Sequence, residues 1–420
     1  MEKSIESKHD NKAANLLIFV CWLVYAFSYL GKVNYSANIT QIMDFYGVTK
    51  AQAGAVPTFF FFSYGIGQVF NGLFCKKYNI KWTIFISLVL SAIINLTIAV
   101  STNFSIIKWL WLVNGFTLSM LWPTLIRLLS ETMPQKSLGT STVAMGTTVA
   151  TGTLIIYGLS SVYAMFDMFK LAFYTAGIAV IIVAVVWLCV FNKAVSRSKS
   201  EKEKDTEEAT VETNEKQEMQ NSERKIFFVS LGVLCFCAIG VNLIKDGLTT
   251  WVPSILKEEF AMSDSLSILL TLFLPILAVF GNIYALKVHK AIPDYINHCA
   301  AIFAAMAAFT GMIIGSLTLE LVLVMLLGLI IVNFLASSLN SLITSIYPLF
   351  MRGKVNSGLI AGILNGFCYL GSTISSYGLG VIADNFGWVY VFWFLIAFCV
   401  ATIVAWGIYT HIKWLFKERD

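Results

Sequence analysis

Long apolar runs separated by short polar clusters dominate the chain. A helix rises 1.5 Å per residue, so about 20 mostly apolar residues cross a bilayer's hydrocarbon core. Twelve runs reach that length: 14–40, 52–74, 82–101, 105–129, 139–163, 169–191, 226–252, 265–286, 295–316, 319–345, 355–382 and 388–412. One long polar segment interrupts them, at 193–225, between the sixth run and the seventh. It is rich in Lys, Glu, Thr and Ser, carries eight basic and nine acidic residues, and has no apolar period. Such a segment buries too little apolar surface to offset the entropy of ordering, so it is expected to be a solvated linker. The pattern predicts an all-α membrane protein with twelve transmembrane helices in two pseudo-symmetric six-helix bundles. Its expected parts are a tail (1–13), a first bundle (14–192), the linker (193–225), a second bundle (226–412) and a tail (413–420).

Composition removes the soluble alternatives. Of 420 residues, 57% are hydrophobic and 13% charged, roughly half the charged share of a soluble domain. The net charge is +5, but so few charges leave no basic face for nucleic acid. Four histidines and eight cysteines show no zinc-type spacing, and Cys235 and Cys237 sit one residue apart in an apolar run. No metal, cofactor or disulfide framework is expected. Residues 1–13 are polar, the first apolar run is too long for a signal peptide, and no small-residue cleavage site ends it. The first helix is therefore expected to stay as a span.

Basic residues set the orientation, because cytoplasmic loops hold an excess of Lys and Arg. With the N-terminus inside, 23 of the 29 basic residues fall in cytoplasmic segments. Four, Lys50, Lys108, Lys170 and Lys257, fall outside. Both termini and the linker are thus expected in the cytoplasm of a multi-pass cell-membrane protein, with a bacterial cytoplasmic membrane as its setting.

The two halves repeat. Pro134 and Pro348 are 214 residues apart, as are Gly139 and Gly353, and Lys32 and Lys245 are 213 apart. A capping residue follows each lysine, Thr49 in one half and Ser263 in the other. Chance spacing in low-diversity apolar sequence is the alternative to duplication. Secondary transporters often carry such repeats, with the substrate site at the repeat interface.

Two basic residues have not left the membrane. Lys32 and Lys245 lie about 18–19 residues into helices of about 27, and Asp246 follows Lys245. A charge at bilayer depth costs about 2.5–3.5 kcal/mol on insertion scales and usually faces a cavity or a partner. Facing each other across a cavity, the lysines would bind an anion. The alternative is that each snorkels outward or neutralises a local carboxylate. Lysine is a compact point charge with three donors, suited to phosphate but without arginine's bidentate fork. Asp246 would offset one charge, leaving the site near +1. No Gly-rich Lys-Ser/Thr phosphate loop and no nucleophile pair occur, so an enzyme is not expected and a solute gradient must drive any transport.

Four patches stand out together. Trp122 and Pro123 are followed by Arg127, then Gln135, Lys136 and Gly139. Tyr64 and Gly65 precede Gly72. Gly247, Trp251 and Pro253 follow Lys245. Gly366, Tyr369, Leu370 and Gly371 precede Asp384, Gly387 and Trp388. On these patches the chain resembles the major facilitator superfamily, and within it the organophosphate:phosphate antiporter group of glycerol-3-phosphate and hexose-phosphate transporters and their sensor relatives. The resemblance implies one arginine on the first helix and one on the seventh gripping the substrate phosphate; here Lys32 and Lys245 stand at those positions. Gln68 replaces a family lysine, Val149 a histidine, and Cys75 the usual Asp after the second helix. Arg127 and Glu131 are then candidates for the latch between halves that this Asp normally joins.

Near the implied cavity depth stand Tyr29, Tyr64, Gln68, Asn365 and Tyr369, as substrate ligands or as interhelical hydrogen bonders. Phe59 to Phe62 are expected in lipid contact and packing, and Trp122 and Trp388 as interface anchors. The implied function is alternating-access transport of a small organic anion, phosphorylated or phosphonate, with inorganic phosphate or a proton as coupling ion, by a monomer in the lipid bilayer. The alternatives are a transporter-like organophosphate sensor and a proton-coupled carboxylate or drug transporter.

Overall fold

A computed structural model describes residues 2–74, 77–133, 135–206, 221–291, 294–351 and 357–417. Helices make up nearly all of these residues, with no strand among them. The first half holds α1 (Glu2–Ala37), α2 (Ile39–Tyr46), α3 (Lys50–Phe74), α4 (Ile80–Val100), α5 (Phe104–Ser119), α6 (Leu121–Thr132), α7 (Gln135–Ala164) and α8 (Lys170–Thr206). The second holds α9 (Asn221–Phe260), α10 (Asp264–Thr271), α11 (Phe273–Ala291), α12 (Tyr295–Thr318), α13 (Val322–Ser341), a π-helical turn (Leu342–Ile346), α14 (Tyr347–Phe350), α15 (Ser357–Phe386) and α16 (Trp388–Lys417).

Eleven helical stretches among the described residues are long and apolar enough to cross a membrane. The run expected at 52–74 is helical too, as α3, but falls outside those eleven. Its Gly, Gln, Ser and Asn residues dilute its hydropathy. α3 lies between α5 and α15, so much of its surface meets protein rather than lipid. The expected linker is also shorter than the sequence pattern implies: α8 runs on to Thr206 and α9 begins at Asn221. Lys and Glu are good helix formers, and extending an existing helix needs no new nucleus. Residues 207–220 lie outside the described residues.

Prolines within the spans release backbone carbonyls that need other partners. A proline nitrogen carries no hydrogen, so the carbonyl four residues earlier loses its helical partner, and in a membrane that carbonyl must bond elsewhere. Pro57 releases the Ala53 carbonyl, which accepts from Tyr35 Oη at 3.0 Å. Pro123 releases that of Ser119, where α5 ends and α6 begins; Gln68 Nε2 donates to it at 3.3 Å. Pro253 releases that of Thr249, which accepts from Tyr157 Oη at 3.2 Å. Before Pro348, the chain widens into the π turn, where the Tyr347 N–H donates to the Leu342 carbonyl, five residues back.

Geometry repeats at the sequence offset. Gly47 and Ala261, 214 apart, both take left-handed backbone angles (φ 62° and 49°). Each ends a helix. Thr49 and Gln52 then form a reciprocal capping box, and Ser263 Oγ accepts from the Leu266 N–H. In the first half a Cβ on Gly152 would lie 2.1 Å from the Ala26 carbonyl oxygen; in the second, one on Gly371 would lie 2.0 Å from that of Ile239. Ala26 and Ile239 are 213 apart, so α1–α7 and α9–α15 are the same close crossing. Pro134, Gly353 and the surroundings of Gly72 and Gly139 lie outside the described residues. The halves meet along α3–α15 and along α7 against α10 and α11, two contacts that the repeat interchanges.

Candidate functional site

A cavity of about 360 Å³ opens between the halves. That lies at the small end of the range for ligand pockets. α1 supplies Tyr29, Lys32 and Val33; α7 supplies Val149, Ala150 and Tyr157. α9 supplies Asn242, Lys245 and Asp246, α13 supplies Asn333, Ser337 and Asn340, and α15 supplies Asn365 and Tyr369. The two lysines therefore reach one cavity from repeat-equivalent helices.

Their surroundings differ. Lys32 Nζ sits in an aromatic cage, 4.7 Å from the Tyr29 ring centroid, 4.2 Å from Tyr64, 5.7 Å from Phe60 and 5.9 Å from Tyr369. It also donates to Tyr29 Oη at 3.4 Å. The negative ring faces favour the ammonium without neutralising it. Tyr369 comes from the second half, so the cage itself spans the interface. Lys245 Nζ instead lies 3.6 Å from Asp246 Oδ1. Asp246 Oδ2 accepts from Ser372 Oγ at 2.5 Å and Asn242 Nδ2 at 3.4 Å. Adjacent residues diverge by about 100° around a helix, yet these two long side chains still meet at the cavity wall.

Other candidates are placed differently from one another. Tyr29, Asn365 and Tyr369 line the cavity. Tyr64 is buried behind it, against Tyr369 at 4.8 Å, with its ring under Lys32 Nζ. Gln68 is not among the lining residues, and its amide serves the carbonyl that Pro123 releases. Gln68→Ala is therefore expected to lower unfolding stability by about 1 kcal/mol and to change substrate affinity less than twofold, measured by thermal unfolding beside ligand titration. The phenylalanine run divides by helical rotation: Phe60 faces Lys32, Phe61 lines the cavity, and Phe62 is exposed on the outer surface. Trp122 packs half-buried on Tyr25 at 4.7 Å.

Arg127 Nε donates to Glu131 at 2.7 Å and its Nη1 donates to the Tyr78 carbonyl. These two partners belong to its own half. The ion pairs that join the halves among the described residues lie at the other face, away from the chain termini. Lys50 Nζ bridges Glu258 at 3.0 Å and Asp384 at 3.8 Å. The Asp384 carboxylate also accepts from the Lys50 and Ala51 N–H groups at the start of α3, where the helix dipole favours an anion. Lys257 bridges Asp44 at 2.6 Å and Asp264 at 3.0 Å. Trp388, expected as an interface anchor, is instead 2% exposed. It packs on Trp251 and donates to Glu258. The face opposite the termini is thus closed by residues that sequence analysis left as loop charges. Lys257 lies 213 residues from Asp44, the repeat offset, so the pseudo-twofold axis passes near that pair as it does near the two lysines.

A family profile described as Major Facilitator Superfamily matches residues 21–357. The chain is 23% identical to the glycerol-3-phosphate transporter of Bacillus subtilis (strain 168), over 96% of this chain and 94% of that one. It is 21% identical to a probable hexose phosphate transport protein of Chlamydia trachomatis serovar D, over 92% and 89%. Among solved structures, a bacterial homolog of the human lysosomal transporter Spinster, in an inward-facing and occupied conformation, superposes with a TM-score of 0.74 at 11% identity, covering 94% of this chain and 96% of that one.

Proposed function

We propose that this chain, which belongs to the Major Facilitator Superfamily, carries a small organic phosphate across the membrane by alternating access. It is a transporter and not an enzyme. Its substrate class is the step proposed. The observation that carries it is the pair Lys32 and Lys245, set at equivalent places in two halves and open to one cavity. The glycerol-3-phosphate and hexose phosphate relatives support the same reading.

In this mechanism the phosphate group takes donors from both lysines. Before binding, two ammonium groups and the Asp246 carboxylate leave the site near +1. A bound anion touches a cation from each half, so it favours states in which both halves close on it. Only such a difference in affinity between states lets a ligand shift the equilibrium. Lysine for arginine keeps the charge and loses the bidentate geometry, which suits a tetrahedral phosphate approached as a point charge. Tyr29, Tyr369 and Asn365 orient the ligand, and Arg127 and Glu131, with Pro123, Trp122 and Gly72, belong to the moving frame of the first half.

The excess of basic residues on the terminus-bearing face places it in the cytoplasm. The described arrangement is then closed to the outside by the Lys50 and Lys257 networks. The setting is a cell membrane, in a bacterium the cytoplasmic one, and the unit is a monomer. Inorganic phosphate or a proton supplies the coupling.

Proteoliposomes loaded with inorganic phosphate test the proposal. Uptake of labelled glycerol 3-phosphate or a hexose phosphate, lost when internal phosphate is omitted, is the expected result and marks exchange. Uptake that needs a proton gradient instead marks proton coupling. Uptake of carboxylates with none of any phosphate overturns the substrate class, and tight phosphate-ester binding with no uptake marks a sensor.

A further inference from the structure

The repeat that pairs the two lysines also pairs two corners on the terminus-bearing face, and they are not alike. α4 packs along α8 in the first half, and α12 along α16 in the second. Trp187 and Trp406 are 219 residues apart, as are Gly152 and Gly371. Each indole ties its helix to the first turn of the other. Trp187 Nε1 donates to the Lys81 carbonyl at 2.9 Å, and Trp406 Nε1 donates to Asn297 Oδ1 at 2.7 Å. The two are therefore equivalent corners of the two bundles.

Their charges differ. In the second half Asp294 caps α12, accepting from the Ile296 and Asn297 N–H groups. The same carboxylate takes Lys413 Nζ at 2.8 Å, so cation and anion there cancel. In the first half the cap of α4 is Asn79, which accepts from the Trp82 N–H and carries no charge. Lys77 and Lys81 flank this cap in the chain. Lys81 is half-buried, with Nζ 5.9 Å from the Phe191 ring centroid. It donates to Asn192 Oδ1 at 3.4 Å, and the exposed Lys193 comes next. Among the described residues none of these three lysines forms an ion pair. Glu131, at the same end of the first half, is taken by Arg127. One corner closes on itself; the other gathers cations around a neutral cap.

We infer that the first-half corner binds the phosphate of an anionic phospholipid, which supplies the negative charge that Asp294 supplies in the second half. The central cavity plays no part in this. The corner sits at headgroup depth, because the α4 span begins at Ile80 and the α8 span ends at Ser196. Trp82 is exposed beside Lys81, and indoles favour the membrane interface. Ile86, Leu90 and Ile93 continue its exposed face along the span. A lipid phosphate can meet Lys81 while its acyl chains follow that stripe. Basic clusters beside spans on the cytoplasmic side take anionic headgroups. A soluble phosphate would meet the same lysines but gain nothing from the stripe.

The test is lipid retention by the purified full chain, read by native mass spectrometry with phosphatidylglycerol and phosphatidylcholine offered in equal amounts. Both carry a phosphate, and only the first carries net charge. Wild type is expected to keep phosphatidylglycerol about tenfold or more over phosphatidylcholine, since each lysine near the surface adds roughly fivefold. Asn79→Asp gives this corner the carboxylate that the other corner has. Asp caps a helix as well as Asn does, so the fold is kept, and the preference is expected to fall by about fivefold, one charge's worth. Lys81→Gln is expected to lower it by a similar factor. Phosphate-ester binding in the central cavity should stay at the wild-type level in Asn79→Asp. Equal retention of the two lipids by wild type, or an undiminished preference in both variants, overturns the inference. Release of the lipid by millimolar inorganic phosphate also overturns it, in favour of a site for free phosphate.

Discussion

Lys245→Ala is expected to weaken phosphate-ester binding more than Lys32→Ala does. Each substitution removes a charge-assisted hydrogen bond, an interaction of about 1.5–3 kcal/mol, so each lowers affinity roughly 10- to 150-fold. Lys245→Ala does more. It leaves Asp246, whose partner sits 3.6 Å away, as an uncompensated anion on the wall where the substrate anion must sit. Lys32 makes no ion pair among the described residues; its cage is aromatic, and Asp246 acts on it only at longer range. Adding Asp246→Asn to Lys245→Ala should therefore recover part of the loss, and adding it to Lys32→Ala should recover less. Titration calorimetry on the two single and two double variants gives the comparison. Equal losses for both single variants, with no recovery from Asp246→Asn, would refute the asymmetry.

Gly54→Ala is expected to open the face opposite the termini. Where α3 crosses α15, a Cβ on Gly54 would lie 2.1 Å from the Ser376 carbonyl oxygen and 2.8 Å from Trp251 Cζ2. A backbone oxygen at that distance cannot move aside alone, so the helices must separate. Overpacking of this kind costs about 1–3 kcal/mol, enough to shift the equilibrium roughly 5- to 150-fold. Alternating access would part α3 from α15 as this face opens, so the clash is expected to burden the closed arrangement. The variant should thus fold, bind ligand and transport slowly. Spin labels at Gln52→Cys and Asn385→Cys, both exposed at the outer ends of these helices, report the change. Their mean separation is expected to lengthen by several ångströms in the Gly54→Ala background. An unchanged separation with wild-type transport would show that the crossing is not part of a moving gate.

Much of this architecture was legible in the sequence because membranes restrict the choices. Runs of fixed length must be helices, and a cation at bilayer depth must face something. Lys32 and Lys245 stood out on those grounds alone, and the structure brings both to one cavity. Gln68 shows where that reasoning stops. Its polarity at cavity depth looked like a ligand, but its partner is a carbonyl 51 residues away, released by a proline on another helix. The closing network was hidden for a similar reason. Lys50 and Asp384 are separated by 334 residues, and each alone is an ordinary loop charge. Asn333 and Asn340 were visible in the run 319–345 but were absorbed into its apolar count. Their significance depends on which face of α13 meets the cavity, and only packing decides that. Trp388 likewise sits at a helix end, as an interface anchor would, and only the fold buries it beside Trp251.

The central claim is that one anion is held jointly by a lysine from each half. Its most direct test is a structure of the full chain determined with a phosphate ester bound. The phosphate oxygens are expected within about 2.7–2.9 Å of both Lys32 Nζ and Lys245 Nζ, the range of charge-assisted bonds. A phosphate bound elsewhere, or held by one lysine while the other stays on its cage or its carboxylate, would contradict the account.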